Sequence, residues 1–158
     1  MHRPIARIVE PGTLDGGDVL VIGRRVYVGR SSRTNDVAIA QLARILQPLG
    51  YEVIAVGFAG CLHLKSCVTQ VAGDLVLLNP ASVDAGVFAG CRAVAVDPGE
   101  PHAANALLLG GTVLHPEHFH RTRARLVAAG LRVIPVAIEE LAKAEAGLTC
   151  CSLLMRNS

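Results

Sequence analysis

The residues whose types could carry chemistry are few: Asp15 and Asp18 in Leu14-Asp15-Gly16-Gly17-Asp18, His63 in Leu62-His63-Leu64-Lys65, and the pair Cys150-Cys151. A thiol with its ordinary pKa of about 8.5 is mostly protonated at neutral pH, so a nucleophilic cysteine needs a base or a cation beside it. An imidazole can take and return that proton, and a carboxylate on its other ring nitrogen fixes the tautomer. Cys, His and Asp are thus sufficient for nucleophilic catalysis. Each also has a plainer reading. Two aspartates flanking a Gly pair form turns, a histidine between leucines sits half-buried in a core, and Cys61 and Cys67 around it pack. Adjacent strand residues face opposite sides, so on a C-terminal strand only one of Cys150 and Cys151 reaches a given site, and the other packs.

A second cluster, His115, His118 and His120, has enough imidazoles to raise zinc or nickel. Its spacing lacks an ordered ligand pattern, and Pro116-Glu117 reads as a helix start where polar residues meet solvent. No metal site is expected. The sequence holds no Walker pattern, and Gly16-Gly17 precedes a strand, so it is no phosphate cradle.

Strands and helices must position these groups. Apolar runs at 18–22 and 25–29 around Gly23-Arg24 predict a β-hairpin, followed by a helix over 35–47 with Asn35 as N-cap and a strand over 51–56. The order recurs as runs 67–72 and 75–78 around Gly73-Asp74, a short helix over 81–88 and a strand over 92–96. It recurs again as runs 104–109 and 112–114 around Gly110-Gly111, a helix over 117–129 and a strand over 132–136. A helix over 138–146 and a strand over 148–155 remain. A ββαβ unit leaves a sheet edge and a helix face open, so such units must pack on one another, and loops from distant parts of the chain then gather at one end.

The composition suits this reading. The chain has 158 residues, a net charge of +2, 51% hydrophobic residues and 3% aromatic residues. A chain of this length buries roughly 70% of its unfolded surface and needs no disulfide or metal to build a core. Without a basic block or aromatic interleaving, nucleic-acid binding is not expected. No apolar run reaches the ~20 residues that cross a bilayer, so no membrane partner is expected either. The first residues lack the apolar segment of a secretory signal, and five cysteines is an odd number, which together point to a cytoplasmic protein with free thiols.

Taken in order, Leu14-Asp15-Gly16-Gly17-Asp18-Val19, Arg33-Thr34-Asn35, His63-Leu64-Lys65-Ser66, Ala103-Ala104-Asn105, Arg132-Val133-Ile134-Pro135-Val136 and Leu148-Thr149-Cys150-Cys151-Ser152 resemble the dimethylarginine dimethylaminohydrolases over nearly the whole chain. The resemblance implies the α/β pentein fold of the guanidine-modifying superfamily, an αβ-propeller of five ββαβ modules. About three would lie here, near 15–57, 67–97 and 103–137, in one partial domain over 1–158. The helix and strand of 138–156 would return to complete the first module. It also implies Cys150 as nucleophile, His63 as general acid and then base, Asp15 as the acid that orients the imidazole, and Arg33 as ligand of the substrate α-carboxylate. No cofactor is implied; the substrate would be a methylated arginine, hydrolysed to citrulline and methylamine or dimethylamine. Arginine deiminases share the triad but carry an acid where this chain has Lys65, which favours the dimethylarginine branch. Family members are longer, and their N-terminal part supplies further modules and the carboxylates that clamp the guanidinium. Self-association or a complementing chain is therefore expected. The alternatives are a catalytically idle interaction module and a hydrolase of another amidine, such as an arginine deiminase.

Overall fold

The computed structural model describes residues 5–144, 146–152 and 154. Three sheets follow one another along the chain, each an antiparallel hairpin whose second strand pairs in parallel with a third. The first contains β1 (Val19–Ile22), β2 (Arg25–Gly29) and β3 (Glu52–Val56), with α1 (Asp36–Leu46) crossing between β2 and β3. Asn35 caps α1, its side chain accepting from Ala38 N at 3.0 Å, as its position ahead of the apolar run predicts. After β3 comes the four-residue α2 (Leu64–Cys67), then the second sheet, β4 (Val68–Ala72), β5 (Leu75–Leu78) and β6 (Arg92–Ala95). The third contains β7 (Leu107–Leu109), β8 (Thr112–Pro116) and β9 (Arg132–Val136), with α3 (His120–Ala128) crossing over, and α4 (Glu139–Lys143) follows.

Alternation along β5 explains how the sheets cohere. Its four residues are all buried, but Val76 and Leu78 join an apolar cluster with Leu20, Ile22, Tyr27 and Phe88, whereas Leu75 and Leu77 join another with Val96, Val113 and Leu126. One strand thus feeds two cores, since successive side chains point to opposite faces. Each sheet buries itself on its neighbour, as a ββαβ unit must. The first strands of the three sheets lie side by side, β4 between β1 and β7. They border an open cleft of about 480 Å³ lined by Val19–Val21, Lys65, Thr69, Gln70 and 106–108.

Four local expectations are corrected. The short helix over 81–88 is only a 3-10 turn at Ala85–Phe88, because Pro80, Gly86 and Gly90 crowd the segment and Asp84 spends its carboxylate on Gly86 N. Helix α3 begins at His120 rather than 117, since Pro116 ends β8 in parallel register with Val136. The strand expected over 148–155 does not occur at 148–151, which form turns; 153 and 155 lie outside the described residues. Finally, the premise that Cys150 and Cys151 sit on opposite strand faces fails with that strand, and both side chains are exposed. No described helix is long and apolar enough to cross a membrane.

Candidate active site

The tight turn ahead of β1 fixes Asp15. It caps a 3-10 turn, Gly16–Asp18, and its Oδ1 accepts from Gly17 N at 2.8 Å. Its own N–H donates to Thr34 Oγ1 at 3.0 Å, which ties this turn to the loop after β2. With Oδ1 so occupied, Oδ2 faces His63 Nε2 at 3.3 Å and Arg33 Nη1 at 3.7 Å. The imidazole contact is close but misaligned: Nε2 is buried without a well-directed hydrogen bond, so it is a charge contact rather than a linear bond. The Gly17 N–H holds the Asp15 carboxyl below its usual range; burial, the next largest effect, opposes it, and His63 and then Arg33 add smaller lowering effects. Stability drawn from ionised Asp15 is therefore complete above the unfolded carboxylate value and is lost as pH falls through the lowered folded value. Asp15→Asn is expected to flatten the acid limb of a melting-temperature profile below about pH 4, which differential scanning calorimetry reads directly.

Asp18, three residues on, does different work. It is fully buried, and its carboxylate accepts from Ser31 Oγ at 2.6 Å, Thr34 Oγ1 at 2.7 Å and Leu64 N at 3.0 Å. One side chain thereby pins the Asp15 turn, the loop bearing Arg33 and the N-terminus of α2. His63 sits at that N-terminus in extended conformation, mostly buried against the Asp15 turn.

Gly17 makes room for the ring. A Cβ built there would lie 2.6 Å from His63 Cγ, a separation that real Cβ atoms do not reach. Gly17→Ala should push the imidazole off Asp15. We expect activity to fall by about 100-fold while the unfolding midpoint moves little, the signature of a misplaced catalytic group; steady-state kinetics beside a urea titration checks this.

Cys150 arrives from the far end of the chain, in the turn over 148–151. Its sulfur accepts from Gly147 N at 2.9 Å and lies 3.1 Å from Gly147 O. A small cavity of about 80 Å³ is lined by Cys150, His63, Gly17, Lys65, Asn105 and Gly147, with Leu62, Ser66 and Thr149 completing it. Three of the four expected residues, Asp15, His63 and Arg33, therefore make one charge cluster, and the fourth shares a cavity with the imidazole.

Two neighbours were given no role in the site by the sequence. Asn105 donates through Nδ2 to Lys65 O at 3.0 Å and Thr149 Oγ1 at 2.9 Å, and accepts at Oδ1 from Thr149 N at 3.2 Å. It fastens the Cys150 turn to α2, and only its place in Ala103-Ala104-Asn105 hinted at it. Asn105→Ala is expected to lower activity by about tenfold and to speed alkylation of Cys150, since the turn loses its anchor; peptide mapping after timed iodoacetamide treatment reads the second effect. Lys65 is half-buried. Burial lowers its pKa, Asp15, Cys150 and Asp18 oppose that shift, and the side chain shares the cavity with the thiol and the imidazole.

One member of the histidine cluster departs from expectation, while His118 and His120 are exposed as expected. His115 does not meet solvent; it is fully buried in β8 with Nε2 3.0 Å from Ala103 O, and burial lowers its pKa, which keeps it neutral. Among the described residues no group of three His, Cys, Asp or Glu could hold a metal ion.

Comparison with known proteins gives the family and the fold. Residues 4–105 match the family model of arginine deiminase. The chain is 39% identical to the N(G),N(G)-dimethylarginine dimethylaminohydrolase of Streptomyces coelicolor over 93% of its own length and 56% of that protein's. It is 31% identical to the enzyme of the same name from Pseudomonas aeruginosa, over 94% of this chain and 59% of that one. A solved structure of the Pseudomonas aeruginosa protein, a Cys-to-Ser variant complexed with citrulline, superposes with a TM-score of 0.83 at 30% identity, covering 90% of this chain and 56% of that one. An amidinotransferase from Microseira wollei shares the fold with a TM-score of 0.84 at 20% identity, over 96% of this chain and 51% of that one. Three hairpin-plus-parallel-strand sheets of this kind define an α/β protein of the pentein, guanidine-modifying superfamily. Within it the chain belongs to the arginine deiminase family. It spans somewhat over half the length of the curated dimethylarginine dimethylaminohydrolases it matches.

Proposed function

We propose that this chain carries the nucleophile and the acid–base pair of an amidine hydrolase acting on methylated arginine. The observation that supports it is the meeting of Asp15, His63 and Arg33, with Cys150 on the same cavity as the imidazole. In this reading the Cys150 thiolate attacks the guanidinium carbon and forms a C–S bond. His63 protonates the departing methylamine or dimethylamine as the tetrahedral adduct collapses to a thiouronium. Water then adds to that carbon, His63 takes its proton, and citrulline leaves with the thiolate restored. Asp15 holds the imidazole in place and stabilises its charged form, Arg33 meets the substrate carboxylate, and no cofactor takes part. A reducing cytoplasm suits a thiol nucleophile.

One observation favours a second reading, in which the site is assembled but idle when the chain is alone. Among the described residues no carboxylate lines the cavity of about 80 Å³, and a guanidinium withdrawn from water needs carboxylate partners. The clamp would then come from a second copy of this chain docked along the cleft beside β1, β4 and β7. Citrulline release from dimethylarginine, followed as the protein is concentrated, separates the two. Turnover supports the hydrolase, turnover that appears only with self-association supports the shared site, and no turnover by folded protein at any concentration, whatever copies assemble, sinks the catalytic reading.

A further inference from the structure

Two thiols bracket His63. After β3 the chain makes a single bridge from Phe58 to Val83, and Ala59 N donates to Ser82 O at 2.9 Å. It then bends back through 60–63 into α2. This reversal lays Cys61 against the apolar cluster that contains Cys67, and the Ser82 that its sulfur meets is tied through Asn79 to the Cys67 carbonyl. Cys67 is fully buried, its sulfur 3.2 Å from Leu64 O; Cys61 is partly exposed, its sulfur 3.7 Å from Ser82 Oγ. Nothing in the proposed hydrolysis uses either of them.

We propose that Cys61 and Cys67 are a redox site: a low-molecular-weight disulfide oxidises them to a reversible intrachain disulfide that closes the loop carrying His63. Access decides the order of steps. Only Cys61 can be reached from solvent, so its thiolate attacks the external disulfide, forms a mixed disulfide and expels one thiolate. The Cys67 sulfur, already beside it, attacks the Cys61 sulfur and gives its proton to the second departing thiolate. The balance is two protein thiols and one small disulfide giving one protein disulfide and two small thiols. The electrostatics agree. The Cys67 S–H, then Ser82 and His102, outweigh burial and lower the Cys61 thiol to about 6, while Cys61 and burial push Cys67 up. Burial also raises Cys91, so among the thiols packed on this cluster the attacking thiolate is concentrated at Cys61.

The bond would draw the two sulfurs together to about 2.05 Å. Cys61 lies two residues before His63, so this contraction moves the segment that seats the imidazole on Asp15. The loss of activity predicted from that movement rests on the hydrolase reading; the disulfide itself does not.

The test incubates the chain with oxidised glutathione at about pH 7, blocks free thiols with iodoacetamide and digests with trypsin. Cleavage after Lys65 separates Cys61 from Cys67 unless they are bridged. We expect a linked peptide pair two hydrogens lighter than the reduced pair and released by dithiothreitol, absent in Cys61→Ser and in Cys67→Ala but kept in Cys91→Ser, since the peptide after Lys65 also carries Cys91. Cys67→Ala should instead hold glutathione on Cys61. Citrulline release by the oxidised chain should fall about tenfold further than that of Cys61→Ser treated alike, the comparison that removes any effect of glutathione on exposed Cys150, and should return on reduction; circular dichroism monitors the fold of the variant. Absence of the linked pair, or glutathione remaining on Cys61 beside an unmodified Cys67, overturns the redox site. A linked pair with unchanged citrulline release overturns the gating. A linked pair in a chain without turnover before oxidation leaves the disulfide standing and removes the catalytic reading.

Discussion

Replacing Cys150 with serine is expected to lower citrulline release by about a thousandfold or more, while Cys151→Ser keeps most of the activity. A hydroxyl in place of the thiol stays protonated at neutral pH, and the imidazole alone makes it a poor nucleophile toward a guanidinium carbon already spread with charge. The neighbouring cysteine offers no rescue. Cys150 has its sulfur on the cavity that His63 lines and is held by Gly147 N at 2.9 Å, whereas Cys151 lines none of that cavity. The contrast is sharp because the two residues are adjacent, equally exposed and chemically identical, so a general effect of thiol loss would strike both. Equal losses in the two variants, or none in Cys150→Ser, would remove Cys150 from the reaction. Intact-mass measurement gives an independent readout: a substrate-derived adduct should appear on the wild-type chain quenched during turnover and on Cys151→Ser, but not on Cys150→Ser.

The second large effect concerns stability. Asp18→Ala leaves Ser31 Oγ, Thr34 Oγ1 and Leu64 N without their acceptor in a buried place. An orphaned buried donor costs about 1–3 kcal/mol, so the three together should lower the unfolding free energy by about 3–5 kcal/mol, allowing for some re-pairing. Asp18→Asn keeps one carbonyl acceptor, and the two hydroxyls can turn to accept from its amide, so its loss should be about 1–2 kcal/mol. Chemical denaturation of the three proteins reads these differences as shifts in midpoint at constant slope. The loss should reach the site as well, because the same carboxylate joins the Asp15 turn, the Arg33 loop and the start of α2. An exposed pair such as Asp74 and Arg92 gives the contrast: Asp74→Ala should barely move the midpoint, since water and salt screen it. If Asp18→Ala proved as mild as Asp74→Ala, the view of Asp18 as the buried tie of the site would be wrong.

These expectations show how unevenly the site could be read in advance. Asp15 and Asp18 are the same residue type three positions apart, flanking the same glycines. The motif marked both, and the resemblance gave a role to Asp15 alone. That Asp18 is the buried tie follows from the loops at Ser31, Thr34 and Leu64, which no local pattern joins to it. Asn105 and Gly17 were missed for the same reason. Each matters through a single long-range contact, with the Cys150 turn in one case and the His63 ring in the other. His115 was misjudged because its burial depends on what packs over β8, and the helix start inferred from Pro116 gave way to a strand pairing with β9.

What the sequence determined by itself was the series of hairpins, crossovers and parallel third strands. Alternating apolar residues and Gly-containing turns act within a few residues, so β1 to β9 stand where the periodicity puts them, with ends shifted by a residue or two and β7 starting later. It also carried the residue types of the chemistry, since a thiol, an imidazole and a carboxylate are fixed by the genetic order of the chain whatever its fold. Only the tertiary structure decided which thiol meets the imidazole's cavity, which aspartate faces the ring and which is buried beneath it. Those choices depend on how three sheets stack and on hydrogen bonds between segments far apart in the chain, and such contacts leave no periodic trace in the residues that make them.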